Sequence, residues 1–436
     1  MDPTEVVTVF LRNDAEVLLF RRSDAVGSYP GHWGTVAGHA EGDPDEMARR
    51  EIEEETGLDR EEVRIVRRGD PFVVEDDRES PWSVTPYLFD VETRKIEPNW
   101  ETSEYEWAPP TELLHRETVP QLWTSYDRVR PGVDSVAADT EHGSAVISIR
   151  ALEVLRDEAG LAGARDGNWS SVESTAIELL EARPEMAAVA NRVHRVMYRG
   201  ADQETPEAVH DAAIAVLDEA LHADESAAER AADVISGKRV VTLSRSGTVE
   251  MALRSGNPAH VVVAASRPGG EGIGVAETLY EAGLAVSLTS DANLPAVIRR
   301  ADVVLVGADT VFRDGDVRNK VGTTSAMLAG EYHGTDRYVV CAQDKIHPAD
   351  DPPDSPTDTA VADDDSDKRN AGPDTGADLG DPVYDGDRPI EVNDPIFERV
   401  PGDLITGIVT ESGILDRSDV TAVARELESL RQWRER

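Results

Sequence analysis

Glu51, Glu54 and Glu55 stand at i, i+3 and i+4 in the run REIEEETG, residues 50–57. On an α-helix that spacing puts three carboxylates on one face. Carboxylates are hard oxygen donors, the ligand type that Mg²⁺ and Mn²⁺ take. Like charges so close destabilise an isolated helix, and the macrodipole offers no compensation beyond the first turn. Two readings stay open on spacing alone. Either a cation neutralises the cluster, or the acids form a solvated face in a chain that is acidic throughout.

A second set of residues lies in the C-terminal half. VVTLSRSGTV, residues 240–249, places Ser246-Gly247-Thr248 after an apolar run and before a helical pattern. SRPGGEG, 266–272, sets Arg267 among glycines at the end of another run. VGAD, 306–309, ends a third run at Asp309, and NKVGT, 319–323, leads from Asn319 and Lys320 into a helix. Backbone N–H groups at such turns and at helix N-termini receive anions. Strand ends of this kind converge on one crevice in an open parallel sheet. Each glycine alone reads as a tight turn. Their common placement points to a phosphate-type pocket with Arg267 and Lys320 as its cations.

These residues need elements to hold them. Asp43 reads as an N-cap, Pro44 as the first helical residue, Glu46 as the capping-box acid and Gly57 as the C′ residue. A helix over 44–56 follows, with Met47, Ala48 and Ile52 toward a core. EVVTVFL (5–11) and EVLLF (16–20) read as a strand pair turning at Asn13-Asp14, and 71–76 and 85–91 as further strands. Trp33 and Trp107 flank this region as core residues or as stacking surfaces for a base. From 144 to 235 the pattern is Ala-rich and helical. After it come RVVTLSR, HVVVAAS, LAVSLTS, DVVLVGA and RYVVCAQ, short β-branched runs mostly separated by helices. That alternation implies βα units and a buried parallel sheet.

The fold class is therefore α/β. A mixed-sheet domain is expected over 1–130, a hinge over 131–143 and a helical subdomain over 144–235. A Rossmann-like, doubly wound parallel sheet follows over 236–436. Residues 348–390 are rich in Asp, Pro and Gly with few large apolar side chains, and read as a disordered acidic insertion in a loop.

Composition bounds the rest. There are 86 acidic against 44 basic residues, a formal charge of −42. Positive charge is almost all arginine, the lysines being Lys95, Lys238, Lys320, Lys345 and Lys368. This implies a salt-rich, halophilic cytoplasm where screening tames self-repulsion, and it argues against nucleic acid as a main partner. The single cysteine, Cys341, excludes an internal disulfide and a cysteine-based zinc site. Asp2, Glu5, Arg12 and Asp14 interrupt any signal-peptide pattern. No apolar run reaches the ~18 residues of a membrane span. A soluble, cytoplasmic protein is expected.

Arg50-Glu51-Ile52-Glu53-Glu54-Glu55-Thr56-Gly57-Leu58 resembles the second half of the Nudix box. Trp33-Gly34-Thr35-Val36-Ala37-Gly38 resembles the strand and glycine loop before it. Glu104-Tyr105-Glu106-Trp107, with Pro109 and Leu113, is similar to the tail of such domains. The resemblance covers about residues 4–128. It implies an α/β/α sandwich and a hydrolase acting on phosphoric anhydride bonds, cleaving a nucleoside diphosphate linked to a further group, such as ADP-ribose. It further implies Mg²⁺, or Mn²⁺ in its place, on Glu51, Glu54 and Glu55, with Arg50 orienting them. Glu101 or Glu104 is the candidate base. The loop after Gly38 is shorter than the family pattern, so Asp43 or Glu41 must stand for the first acid of the box.

Residues 140–436 resemble the regulatory subunits of initiation factor 2B and their relatives, the isomerases of methylthioribose 1-phosphate and ribose 1,5-bisphosphate. The match rests on Arg183-Pro184, Ser244 to Thr248, Ser266-Arg267-Pro268, Gly307-Ala308-Asp309, Asn319-Lys320 and Asn393-Asp394-Pro395 with Phe397. It implies a sugar phosphate or nucleotide held by Arg183, Ser246, Gly247, Arg267, Asp309, Asn319 and Lys320. It implies a homo-oligomer formed through the Rossmann-like part. The isomerases use a cysteine and an aspartate. Asp309 matches the aspartate, Ser244 occupies the cysteine position, and Cys341 lies on a different strand. His142-Gly143-Ser144 replaces a phosphate-binding Arg-Gly-Ala. The expectation is a hydrolase fused to a ligand-binding domain without isomerase activity. The alternatives are a non-enzymatic regulatory protein and an isomerase with a substituted cysteine.

Overall fold

Side-chain alternation along β1 divides the first core. In the computed structural model, which describes residues 3–40, 42–75, 81–349, 388, 392 and 394–435, β1 spans Thr4–Asn13 and β2 Glu16–Arg22. They pair antiparallel across Asp14 and Ala15, both with positive φ (47° and 66°), the backbone of a tight hairpin turn. Then come β3 (Trp33–Gly34), β4 (Val36–His39), α1 (Pro44–Thr56), β5 (Val63–Arg68), β6 (Phe72–Val74), β7 (Trp82–Val91), β8 (Thr102–Ala108) and α2 (Leu122–Asp127). The sheet order is β3-β2-β1-β7-β5, with β4 on β1, β6 on β7 and β8 on β2. β1 and β7 run parallel and their neighbours antiparallel, so the sheet is mixed as expected. Val7, Val9 and Leu11 pack with Ala48 and Ile52 of α1, while Phe10 packs with Leu122 and Tyr126 of α2. Successive residues point to opposite faces, so one strand serves two cores.

The chain continues through α3 (Val133–Ala138), α4 (Ser144–Ala164), α5 (Trp169–Ala182), α6 (Ala187–Gly200) and α7 (Pro206–Ile235). It then alternates β9 (Arg239–Thr242), α8 (Gly247–Gly256), β10 (His260–Ala264), α9 (Glu271–Glu281), β11 (Val286–Thr289), α10 (Leu294–Ile298) and β12 (Val303–Val306). β13 (Thr310–Val311), β14 (Val317–Lys320), α11 (Thr323–His333), β15 (Asp336–Val340), β16 (Phe397–Val400), β17 (Gly407–Thr410), β18 (Gly413–Leu415) and α12 (Arg417–Ser429) complete it.

The second sheet has the order β11-β10-β9-β12-β15-β17-β18, parallel except for the last pair. Val240, Val261, Val263, Val303 and Leu305 pack toward α8 and α9; Val241, Val262, Val304 and Val306 pack toward α10, α11 and α12. Both faces are covered, which is why these strands read as unbroken apolar runs. The chain moves outward from β9 to β11 and returns to β12 beside β9. The crevice at the carboxyl ends of β9 and β12 is therefore the switch point where such folds bind ligands.

Compactness divides the molecule into two units. The first comprises Met1–Val133, Leu152–Thr175 and Gln203–Leu217; the second comprises Asp134–Ala151, Ala176–Asp202 and Asp218–Arg436. Parts of α4, α5 and α7 thus pack with the N-terminal sheet, a division that chain order does not reveal. Within the first unit, buried Arg12 on β1 pairs with Glu153 on α4 at 3.2 Å and with Asp90 on β7 at 2.7 Å. Arg156 on α4 donates to Ala15 O at 2.5 Å and to Asp157 at 2.8 Å, and Tyr126 Oη donates to Asp157 at 3.0 Å. The insertion expected over 348–390 lies outside the described residues except for 348, 349 and 388, as do Glu41 and Asn393. Among the described residues no helix is long and apolar enough to cross a membrane.

Candidate functional site

Helix α1 begins and ends where its sequence says. Asp43 has extended backbone (φ −76°, ψ 116°) and accepts from Asp45 N at 3.0 Å; Gly57 is left-handed (φ 73°) and its N–H donates to Glu53 O at 3.0 Å. The capping-box role expected of Glu46 is not what forms: Arg60 takes its carboxylate at 3.0 Å. Burial of Ala48 and Ile52 fixes the rotation of the helix against β1 and β4.

That rotation gives the three glutamates different surroundings. Glu54 is exposed and receives Arg50 Nε at 2.6 Å, the i,i+4 pair. Glu51 is half-buried against Gly38 of β4. Glu55 is only 6% exposed and accepts from Ala37 N at 3.0 Å, so it faces the sheet and not solvent. Burial, then the charges of Glu101 and Glu51, push Glu55 up to about 8, against the backbone hydrogen bond. Glu51 is raised by burial and by Glu54, with Glu101 adding to the effect. The charge of Glu101 thus raises both carboxylates. Glu104, the other candidate base, is exposed and pairs with Arg21 at 3.4 Å.

Among the described residues no three His, Cys, Asp or Glu side chains stand in a group that could hold an ion. Arg50 Nε donates to Glu54 and Ala37 N to Glu55. The donor set still fits a hard divalent cation. All donors are carboxylate oxygens, burial together with their mutual repulsion raises two of them, and Gly38 leaves room for one. Trp33 and Trp107 are used structurally. Arg116 lies 4.5 Å from the Trp33 ring centroid, and Trp107 Nε1 donates to Arg94 O at 3.1 Å.

In the second unit the switch-point crevice gathers several of the expected residues. Ser246 caps α8, its Oγ accepting from Val249 N at 3.5 Å, with Gly247 next in the first turn. A β-carbon on Gly307 would lie 2.6 Å from Ser246 Oγ, so the ends of β9 and β12 approach closely only because residue 307 is glycine. Lys320, at the end of β14, pairs with Glu271 Oε1 at 2.9 Å. Glu271 also accepts from Ser244 Oγ at 3.2 Å. Asp309 is raised by burial, against the pull of Lys345, Arg318 and Lys320 and with a push from Glu271. Lys345 Nζ donates to Ala308 O at 2.7 Å.

Other expected residues are engaged elsewhere. Arg183 Nε donates to Val136 O at 3.0 Å and its Nη2 to Asp139 O, so its guanidinium serves backbone carbonyls. Asn319 Nδ2 donates to Thr323 Oγ1 at 3.0 Å, tying the end of strand β14 to the helix that begins at Thr323. Arg267 is exposed, while its N–H donates to Asp291 at 3.1 Å. Ser266 N also donates to Asp291, at 2.9 Å, and Ser244 N donates to Ser266 Oγ at 2.6 Å. Three N–H groups that the pattern offered to an anion are thus filled by the chain's own oxygens. Glu271 escaped sequence reading because an acid in a first helical turn looks like an ordinary complement to the dipole. Cys341 is buried, and burial pushes its thiol up to about 12.

Residues 140–417 match the model of the Initiation factor 2 subunit family. The chain belongs to that family. Residues 2–129 match the NUDIX domain model, so this family member carries a NUDIX domain ahead of its family region. A protein named ribose 1,5-bisphosphate isomerase from Haloferax volcanii is 30% identical over 69% of this chain and 94% of its own length. One named methylthioribose-1-phosphate isomerase from Klebsiella pneumoniae is 27% identical over 72% of this chain and 93% of its own. A chain of the tetrameric eIF2B-beta2-delta2 complex from C. thermophilum shares the fold with a TM-score of 0.51 and 20% identity, over 68% of this chain and 92% of that one.

Proposed function

We propose that the NUDIX domain hydrolyses the pyrophosphate of a nucleoside diphosphate linked to a further group, ADP-ribose or another nucleotide sugar. The observation that carries this reading is the seating of Glu51 in the space that Gly38 leaves, on the same helix as Glu54 and Glu55. Glu51, Glu54 and Glu55 would hold Mg²⁺, or Mn²⁺. When bound, the ion supplies charge neutralisation to the pyrophosphate and a lowered pKa to the attacking water. Arg50 orients Glu54. Of the two candidate bases Glu101 is favoured, because its charge acts on Glu51 and Glu55 while Glu104 pairs with Arg21. Buried Glu55 anchors the helix to β4 through Ala37 N.

The family region binds a sugar phosphate or nucleotide at the crevice between β9 and β12, with Lys320, Arg267 and the first turn of α8 as its anion contacts. Cleavage of ADP-ribose releases a ribose phosphate, the ligand class named for the isomerase relatives, which is the rationale for joining the two activities on one chain. The tetrameric relative pairs two kinds of subunit; for this chain the family region is proposed to form a homo-oligomer. A second reading makes this region an active isomerase rather than a regulatory module. Its support is the match over nearly the whole isomerase length together with Asp309 and Lys320 at the switch point.

The test is release of AMP or another nucleoside monophosphate from a panel of nucleoside diphosphate derivatives at molar salt, with and without Mg²⁺. Mg-dependent turnover lost in Glu54→Gln is the expected result. No turnover on any compound would overturn the hydrolase reading.

A further inference from the structure

The crevice of the second unit holds a carboxylate that neither the binding reading nor the position of Ser244 explains. Moving a proton between adjacent sugar carbons needs two groups able to exchange protons near neutrality. The Ser244 hydroxyl is far too weak an acid for that. Cys341 is buried with its thiol pushed up, and Lys345 is held on Ala308 O at 2.7 Å. Among the described residues two carboxyls are left to consider at the switch point, Glu271 at the start of α9 and Asp309 after β12.

The turn before α9 is shaped around Glu271. A β-carbon on Gly269 would lie 2.6 Å from Glu271 Oε2 and 3.2 Å from Lys320 Nζ. A β-carbon on Gly272 would lie 1.9 Å from Ala264 O, so glycine there lets α9 press against the end of β10. Glu271 is fixed by Lys320 at 2.9 Å and Ser244 Oγ at 3.2 Å, yet its side chain stays 22% exposed and reachable by a ligand. We propose that Glu271 is the base of a carboxylate pair with Asp309, and that this pair isomerises an aldose 1-phosphate to a ketose phosphate. This rests on the isomerase reading of the family region.

The protons balance without a co-reactant. Glu271 takes the proton from C2 of the furanose while protonated Asp309 gives its own to the ring oxygen. The bond from C1 to that oxygen breaks, leaving an open-chain enol phosphate with C1 and C2 doubly bonded. Asp309 then accepts the proton of the C2 hydroxyl as Glu271 returns its proton to C1. The product is the ketose phosphate, and both carboxyls are restored. Burial of Asp309, which favours its protonated form, suits the acid role. Ser244 and Lys320 position the base.

The experiment uses the full chain at molar salt with ribose 1,5-bisphosphate and methylthioribose 1-phosphate, comparing wild type, Glu271→Asp and Glu271→Gln. The proposal expects turnover by wild type and a fall of about 100-fold or more in kcat for Glu271→Gln. KM for the Gln variant should stay the same or drop, because Lys320 is released to the phosphate, and Glu271→Asp should keep part of the activity. In D₂O, the fraction of the proton held on Glu271 that exchanges with solvent before its return should appear as deuterium at C1 of the wild-type product. Unfolding midpoints establish that the variants fold. Turnover by wild type with Glu271→Gln within tenfold of it would overturn the role of Glu271 and leave the isomerase reading standing. No turnover of either compound by folded wild type would bring down that reading and the role of Glu271 with it.

Discussion

Glu51 occupies the space that Gly38 leaves empty: a β-carbon at residue 38 would lie 2.0 Å from Glu51 Cδ and 2.1 Å from its Oε1. The contact joins β4 to α1 at the point where the NUDIX domain's carboxylates gather, and it separates function from stability. Gly38 pairs with Val7 in ordinary strand geometry, so an alanine there strains no backbone. Only the end of a flexible glutamate must yield.

Gly38→Ala should therefore leave the thermal midpoint within a few degrees of wild type while lowering hydrolysis by about 100-fold, the scale on which small misplacements of reacting groups act. Paired melting curves and initial rates check this. Full activity in Gly38→Ala would show that the position of Glu51 does not matter.

The α4 contact on the first sheet is electrostatic at its centre. Arg12 and Glu153 are 3% and 1% exposed, and their atoms stand 3.2 Å apart. Removing Glu153 leaves Arg12 buried with Asp90 as its remaining charge partner. Breaking such a pair costs about 3 kcal/mol. Glu153→Ala should shift chemical denaturation of the N-terminal unit by that amount; a change under about 0.5 kcal/mol, the level of a surface pair, would contradict it.

His194 on α6 receives Trp433 Nε1 at 3.0 Å, and burial, with the charges of Arg431 and Arg434, depresses its pKa to about 3. Between pH 6.5 and about 3 the unfolded chain binds a proton there that the native state does not. Stability then falls as pH falls, by up to about 1.4 kcal/mol per pH unit. Unfolding free energies of wild type and His194→Gln, compared over this window, should diverge less in slope at neutral pH than in acid, the wild type being the steeper. Parallel profiles would contradict the assignment.

The Cys341 thiol, closed off after β15, should label only as the chain unfolds, at a rate set by opening. Rapid stoichiometric labelling of the native protein by a thiol reagent would contradict its burial and return Cys341 to consideration as the residue replacing the isomerase cysteine.

Local signals were the legible ones. Asp43, Pro44 and Gly57 bound α1 because caps act within one turn. The parallel strands were readable because burial on both faces demands unbroken apolar runs. β8, TSEYEWA, was not, since it is largely exposed and its polar residues hide the pairing with β2. The short β13, β14 and β16 carry too few residues for a period. Glu51, Glu54 and Glu55 look alike in sequence; only the backbone N–H of Ala37, brought by β4, makes Glu55 the buried one. Glu271 shows the same limit. Its partners Ser244 and Lys320 come from other strands, and no spacing in the chain announces that they meet.

Whether α1 carries a divalent ion is tested most directly by titrating Mn²⁺ into the full chain at molar salt, where diffuse binding to surface acids is suppressed, and following free ion by electron paramagnetic resonance. The account predicts saturable binding displaced by Mg²⁺, weakened at least tenfold in Glu51→Gln/Glu54→Gln. Equal binding by wild type and this variant would contradict it.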